Sequence, residues 1–139
     1  MQKVLERRGF LKLCTDKQVT YLLACRFRRT AARRAFLMNI QADVKNLDPS
    51  VIVAYAELTF DYSLEGKEEF ARWCIQHSHP SVRYYGCSNL QFWGDAHDLP
   101  VLKKLATDES LCDIFDKPVS EMAMFAFCAI KIKMSENEL

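Results

Sequence analysis

Apolar positions recur along this chain with helical spacing almost from end to end. In "VIVAYAELTF" the residues Val51, Ala54, Tyr55 and Leu58 fall at i, i+3, i+4 and i+7, a stripe that a period of 3.6 places on one face. "EGKEEFARWCI" sets Phe70, Trp73 and Cys74 on one side and Lys67, Glu68, Glu69 and Arg72 elsewhere. "DLPVLKKLA" repeats the arrangement with Leu99, Leu102 and Leu105 or Ala106. "VSEMAMFAFCAIKIK" is apolar nearly all round until its lysines, as expected of a helix packed on several neighbours. Breakers at Asp48-Pro49, Glu65-Gly66, His79-Pro80, Gly94-Asp95 and Lys117-Pro118 divide these segments. A proline in the first turn of a helix costs little, because its missing N–H would have no intrahelical partner there, so Pro49, Pro80 and Pro118 each read as a helix start. The pattern predicts eight helices, at about 2–13, 16–28, 31–46, 49–61, 66–77, 80–93, 97–107 and 118–133. The loops between them are short, which makes sequence neighbours antiparallel.

The helix starts also form a repeat. "DPSVIVAYAEL" and "HPSVRYYGCSNL" share Pro-Ser-Val, and the interval from Pro49 to Pro80 sets the period. Val19 precedes Val51 by nearly the same interval. Pro118 opens the next unit after a longer one, with "DESLCDIFD" as the extra insertion. A period of roughly 30 to 40 residues made of two helices is the signature of a solenoid.

Composition narrows this further. A chain of 139 residues suits one domain, here 1–139, and its 4 Gly and 4 Pro are too few for the many turns of a sandwich or barrel. No apolar run approaches the roughly 18 residues of a membrane span, and "MQKVLERRGFLKLC" lacks the layout of a signal peptide. The expectation is therefore a cytoplasmic protein with no membrane partner. Six cysteines without a CxxC pair, all inside apolar-periodic segments, are expected to be buried free thiols. The net charge of +1 hides an asymmetry: residues 1–45 carry 11 Lys/Arg against 3 Asp/Glu, and residues 46–139 carry 8 against 15.

The segment "HPSVRYYGCSNLQFWGDAHDLPVLKKLATDE" resembles a HEAT-type repeat of the short bacterial, phycobilisome-lyase-like kind. Pro80, Val82, Arg83, Gly86, Leu90, Gly94, Asp95, Leu99, Pro100, Leu102 and Leu105 carry the resemblance. Pro49-Ser50-Val51 lacks the Arg and the Gly-Asp, and the first and last units keep only their apolar spacing. The resemblance implies an all-α, right-handed α-solenoid of about four antiparallel helix pairs. It also implies binding of other macromolecules along a concave face lined by the second helix of each pair. A minority of such proteins act in DNA repair or on chromophores, and a lyase-like or glycosylase-like enzyme is accordingly the weakest expectation.

Several reactive-looking residues fall within this frame. Cys74, His77 and His79, with His97 nearby, lack the second pair of ligands that a tetrahedral zinc site needs, so no metal is expected. Cys87 lies in a helix interior where the repeat requires a small residue, so it reads as inert rather than nucleophilic. Asp95 and Asp98 bracket the helix beginning near His97 and read as caps. There is no Gly-rich phosphate loop, Gly-x-Ser-x-Gly or His-Glu-x-x-His, so neither enzyme activity nor a cofactor is expected. The cluster Arg26, Arg28, Arg29, Arg33 and Arg34 could grip phosphates, or else pair with Asp43 and Asp48.

For the concave face, Val82, Gly86, Leu90 and Trp93 are expected inside, which turns Tyr84, Ser88 and Gln91 or Phe92 outward. Shifting by the repeat adds Val53, Glu57, Phe60 and Asp61, then Tyr21, Cys25 and Arg29, and in the last unit Glu121, Met122 and Phe125. The candidate partner-binding set is thus Tyr21, Arg29, Glu57, Phe60, Asp61, Tyr84, Ser88, Phe92, Asp95, Asp98, Glu121 and Met122. Its acids would attract a basic partner. The expected function is a non-enzymatic, monomeric protein-binding module, such as a bacterial immunity or inhibitor protein that blocks a basic nuclease toxin. The alternative is a nucleic-acid-binding protein that uses the arginine cluster.

Overall fold

The computed structural model describes residues 5–137, and within them the chain is mostly helical. Eight α-helices follow in order: α1 (Arg7–Leu11), α2 (Thr15–Cys25), α3 (Ala31–Val44), α4 (Pro49–Asp61), α5 (Lys67–Cys74), α6 (Pro80–Trp93), α7 (Leu99–Leu105) and α8 (Val119–Asn137). A 3₁₀ turn, Ala96–Asp98, precedes α7. Between α7 and α8 lies a short antiparallel hairpin, β1 (Leu111–Cys112) with β2 (Lys117–Pro118), in register Leu111 to Pro118 and Cys112 to Lys117. Pro118 therefore does not begin a helix. It occupies the second strand, and α8 starts immediately after it, at Val119.

Helix starts follow the chemistry of their flanking residues. The Thr30 hydroxyl accepts from the Arg33 N–H at 3.1 Å, Asp48 accepts from the Ser50 N–H at 2.9 Å, and the His79 ring accepts from the Ser81 N–H at 3.1 Å. These bonds satisfy amides that the helix itself leaves unpaired. Gly66, before α5, has φ of 82°, a left-handed conformation that glycine adopts without steric cost.

The chain divides into two compact units, Met1–Glu65 and Gly66–Leu139. In the first, α2 packs on α4, α1 on α3 and α3 on α4. Its core holds Phe10, Leu22, Leu37, Ile40, Val44, Val51, Ile52, Tyr55 and Leu58, all fully buried. Two tyrosines in it satisfy buried carbonyls: the Tyr55 hydroxyl donates to Leu37 O at 2.8 Å, and the Tyr62 hydroxyl to Cys25 O at 2.7 Å. α4 is buried on nearly every side, not along one stripe, since Ile52, Val53, Ala56 and Thr59 are buried as well as Val51 and Leu58.

In the second unit α6 is central. It packs on α5, on α8 and on strand β1, and α7 also packs on α8. Its core contains Phe70, Cys74, Val82, Cys87, Leu90, Leu102, Val119, Ala123, Ala126 and Ile130. Two glycines permit close approaches there. A Cβ on Gly86 would lie 2.8 Å from Cys74 Cβ, and one on Gly94 would lie 2.6 Å from Ile130 Cδ1. Among the described residues no helix is long and apolar enough to cross a membrane.

Candidate functional site

The candidate residues fall in both units and differ in exposure. In the first unit, Tyr21 is half-buried and belongs to an aromatic trio with Phe10 and Phe36, its ring edge-on to Phe36 at 5.3 Å. Its hydroxyl accepts from the Leu5 N–H at 2.9 Å. Cys25 and Val53, expected to point outward, are buried, because α2 packs against α4 on that side. Phe60 and Arg29 are exposed.

Glu57 and Asp61 are not free charges. Arg26 donates to Glu57 at 2.7 Å and to Asp61 at 3.0 Å, so one guanidinium neutralises half of that acidic pair. The partners expected for the arginines were different: Asp43 in fact holds Arg7 at 2.7 Å, and Asp48 caps α4. The five-arginine cluster is divided by role. Arg33 is buried and donates to the Arg28 carbonyl, Arg34 donates to the carbonyls of Tyr62 and Ser63, and Arg28 and Arg29 remain exposed.

In the second unit, Tyr84 is buried, which corrects its expected outward placement. The cause is the hairpin: the Phe115 ring lies 5.8 Å from Tyr84 and 6.1 Å from Tyr85, covering that face of α6. Ser88 is half-buried, and Phe92 is exposed, with its carbonyl accepting from Lys133 Nζ at 2.9 Å. Glu121 and Met122 are half-buried on α8, and Glu121 has Lys117 4.0 Å away.

Asp95 and Asp98 form a capping box: Asp95 accepts from the His97 N–H, and the Asp95 N–H donates to Asp98 at 2.9 Å. Arg72 grips both Asp98 oxygens, at 2.9 and 3.1 Å. Burial of Asp98 opposes its ionisation, but the bonds from Arg72 and from the Asp95 amide outweigh it and hold the carboxyl below its ordinary range. Asp98 is thus a buried structural anion rather than a groove charge.

The histidine stretch is similarly structural. The His77 ring accepts from the His79 N–H at 3.0 Å, and burial, aided by His79 and Arg83, pushes its pKa down. Arg83 ties this loop together, donating to the carbonyls of His77 and Ser78 and to Asp108 at 2.8 Å. Burial pushes the Cys87 thiol up to about 12, so at neutral pH it is neither a thiolate nor a nucleophile. All six cysteines are free, but Cys14 and Cys128 are exposed, contrary to the expectation that every thiol is buried. Among the described residues no three His, Cys, Asp or Glu side chains cluster closely enough to hold a metal ion.

Sequence reasoning located the insertion at residues 108–116 but gave it no part in the candidate surface. In the hairpin, Leu111, Ile114 and Phe115 are 50%, 57% and 52% exposed. Glu109, Asp113 and Asp116 surround them, also exposed. The hairpin is nonetheless tied down. The Asp113 N–H donates to Ser81 Oγ at 2.9 Å, Asp116 N–H to Cys112 O at 2.9 Å, Val119 N–H to Ser110 O at 2.9 Å and Ser120 N–H to Asp108 O at 2.8 Å. Cys112 is fully buried beneath it. The available signal was the repeat interval, which is longer from Pro80 to Pro118 than from Pro49 to Pro80.

No family model, curated protein or solved structure matches this chain.

Proposed function

We propose that this chain is a non-enzymatic protein-binding module, built of stacked helical pairs of the HEAT kind, that engages a basic protein partner through its hairpin. The observation that carries the reading is the make-up of residues 109–116. Leu111, Ile114 and Phe115 form an exposed apolar centre, and Glu109, Asp113 and Asp116 an acidic rim. Interfaces place large apolar side chains centrally and polar groups at the edge, and complementary charge steers the encounter. Because the hairpin is already pinned to Ser81, Tyr84 and Tyr85, little conformational freedom remains to be lost on binding.

The solenoid reading is supported within each unit by the packing of helices two apart in the chain: α1 with α3, α2 with α4 and α6 with α8. Inhibition of a basic toxin domain is the narrower form of the proposal. It draws on the acidic rim rather than on Glu57 and Asp61, whose charge Arg26 already answers.

The test is a photo-crosslinking residue placed at Ile114 and activated in the cells that make the protein. The reading predicts one dominant adduct to a basic protein, lost in the D113K/D116K variant. A diffuse set of adducts, or a dominant one indifferent to D113K/D116K, would refute it.

A further inference from the structure

The turn between α2 and α3, residues 26–30, carries a second surface of different character. Phe27 is 89% exposed, more than any other large apolar side chain among the described residues. A lone exposed phenylalanine is ordinary on a protein surface. This one is flanked by Arg26, Arg28 and Arg29 and sits on a turn that is firmly held. Arg26 is anchored to Glu57 and Asp61, the Arg33 guanidinium supports the Arg28 carbonyl, and Thr30 caps α3.

Three of the five arginines are therefore occupied in building the turn. Arg28 and Arg29 have no acidic partner among the described residues, and both are exposed. Five arginines against the two carboxylates they reach leave a local charge of +3. Beside them opens a cleft of about 330 Å³, lined by Arg29, Thr30, Ala31, Arg34, Asp61 and Tyr62.

We propose that this turn binds single-stranded nucleic acid, with Phe27 stacking on a base and Arg28 and Arg29 taking adjacent phosphates. An aromatic ring beside guanidinium groups is the composition used for strand binding without sequence readout. Every base offers a flat face to a ring, and guanidinium matches phosphate in shape and charge. An acidic protein could satisfy the arginines too, but Phe27 is the single large apolar side chain of the turn, too little for the apolar centre of a protein interface and enough for one base. A duplex keeps its bases stacked inside and leaves Phe27 nothing to stack on.

The experiment is fluorescence polarisation with a labelled oligothymidylate of about 12 nucleotides, within the ~4–16 that such surfaces cover. Two phosphate contacts predict a fall in affinity of about sevenfold between about 50 and 200 mM salt. F27A should weaken binding about tenfold while leaving the salt dependence unchanged, because stacking carries no counterion release. R28E/R29E should abolish binding, and circular dichroism should show both variants folded, since all three side chains are exposed. Absence of binding by the wild type would overturn the proposal, as would F27A binding like wild type. Competition by polyglutamate as effective as by unlabelled oligonucleotide would instead assign the turn to an acidic protein and overturn it too.

Discussion

Replacing Gly86 with alanine sets two physical effects against each other. In the middle of an exposed helix, glycine to alanine gains about 1 kcal/mol, because alanine has less backbone freedom to lose. Gly86 is instead buried in α6 and faces the end of α5. The new Cβ would stand 2.8 Å from Cys74 Cβ, 2.8 Å from Ile75 Cγ2 and 2.9 Å from Ile75 N. Of these, only Ile75 Cγ2 can rotate away, since a Cβ and an amide nitrogen move only with their backbone. Carbon atoms rest about 3.5 Å or more apart, so α5 and α6 would have to separate locally by about 0.7 Å, and a gap of that size forfeits roughly a quarter to a half of each dispersion contact along the seam.

Overpacking of this kind costs about 1–3 kcal/mol, which exceeds the propensity gain in most of its range. We expect G86A to lose up to about 2 kcal/mol net and its melting temperature to fall by up to about 6 °C, followed by far-UV circular dichroism. G9A is the internal control. A Cβ on Gly9 meets nothing closer than Leu5 Cδ2 at 3.6 Å, an ordinary contact, so that variant should melt at or above wild type. A G86A protein as stable as G9A would refute the claim that the α5–α6 approach requires the glycine.

Two other outcomes follow from burial and charge. Native protein should expose two of its six thiols to a disulfide reagent, Cys14 and Cys128, with the rest reacting only on unfolding; rapid modification of Cys87 would contradict its burial and raised pKa. D98N should cost about 1.5–3 kcal/mol at neutral pH, the range for hydrogen bonds to a charged group. Because the folded Asp98 carboxyl ionises below its ordinary 3.8, its contribution is present above that value and is lost as pH falls through the depressed one. The gap between wild type and D98N in urea melts should therefore close in strong acid; a gap that stays constant with pH would rule this out.

The helices were legible because their signals are local. Apolar spacing over a few turns and caps such as Asp48 and His79 report only on their own segment, and α4 and α6 begin at Pro49 and Pro80 as the spacing predicts. The predicted helix positions 2–4 lie outside the described residues. Pro118 misled because a proline that suits a first helical turn also suits a short edge strand, and only pairing with Leu111 decides between them. Orientation was less legible than element type. Tyr84 is covered by Phe115, which lies far along the chain, and no local period contains that fact. The acids of the presumed groove were assigned to a partner because Arg26 to Asp61 and Arg72 to Asp98 are pairings between helices distant in sequence.

Those pairings bear on which surfaces remain for recognition. Arg7 to Asp43 joins α1 to α3, Arg26 to Asp61 joins the end of α2 to α4, Arg72 to Asp98 joins α5 to the turn before α7, and Arg83 to Asp108 joins α6 to the loop after α7. Apart from Arg72–Asp98, whose carboxylate is buried, these partly exposed pairs add little to stability, but every pair is satisfied at one relative placement of its two elements, so they define how neighbouring helices meet. Side chains used in this way are poor candidates for a partner, since engaging one would strand its mate. Two irregular segments set exposed charged side chains beside exposed apolar ones. In the turn 26–30, exposed arginines accompany Phe27; in the hairpin 109–116, exposed acids accompany Leu111, Ile114 and Phe115. Recognition at these segments requires no helix pairing to break, and their opposite charges suit them to different classes of ligand.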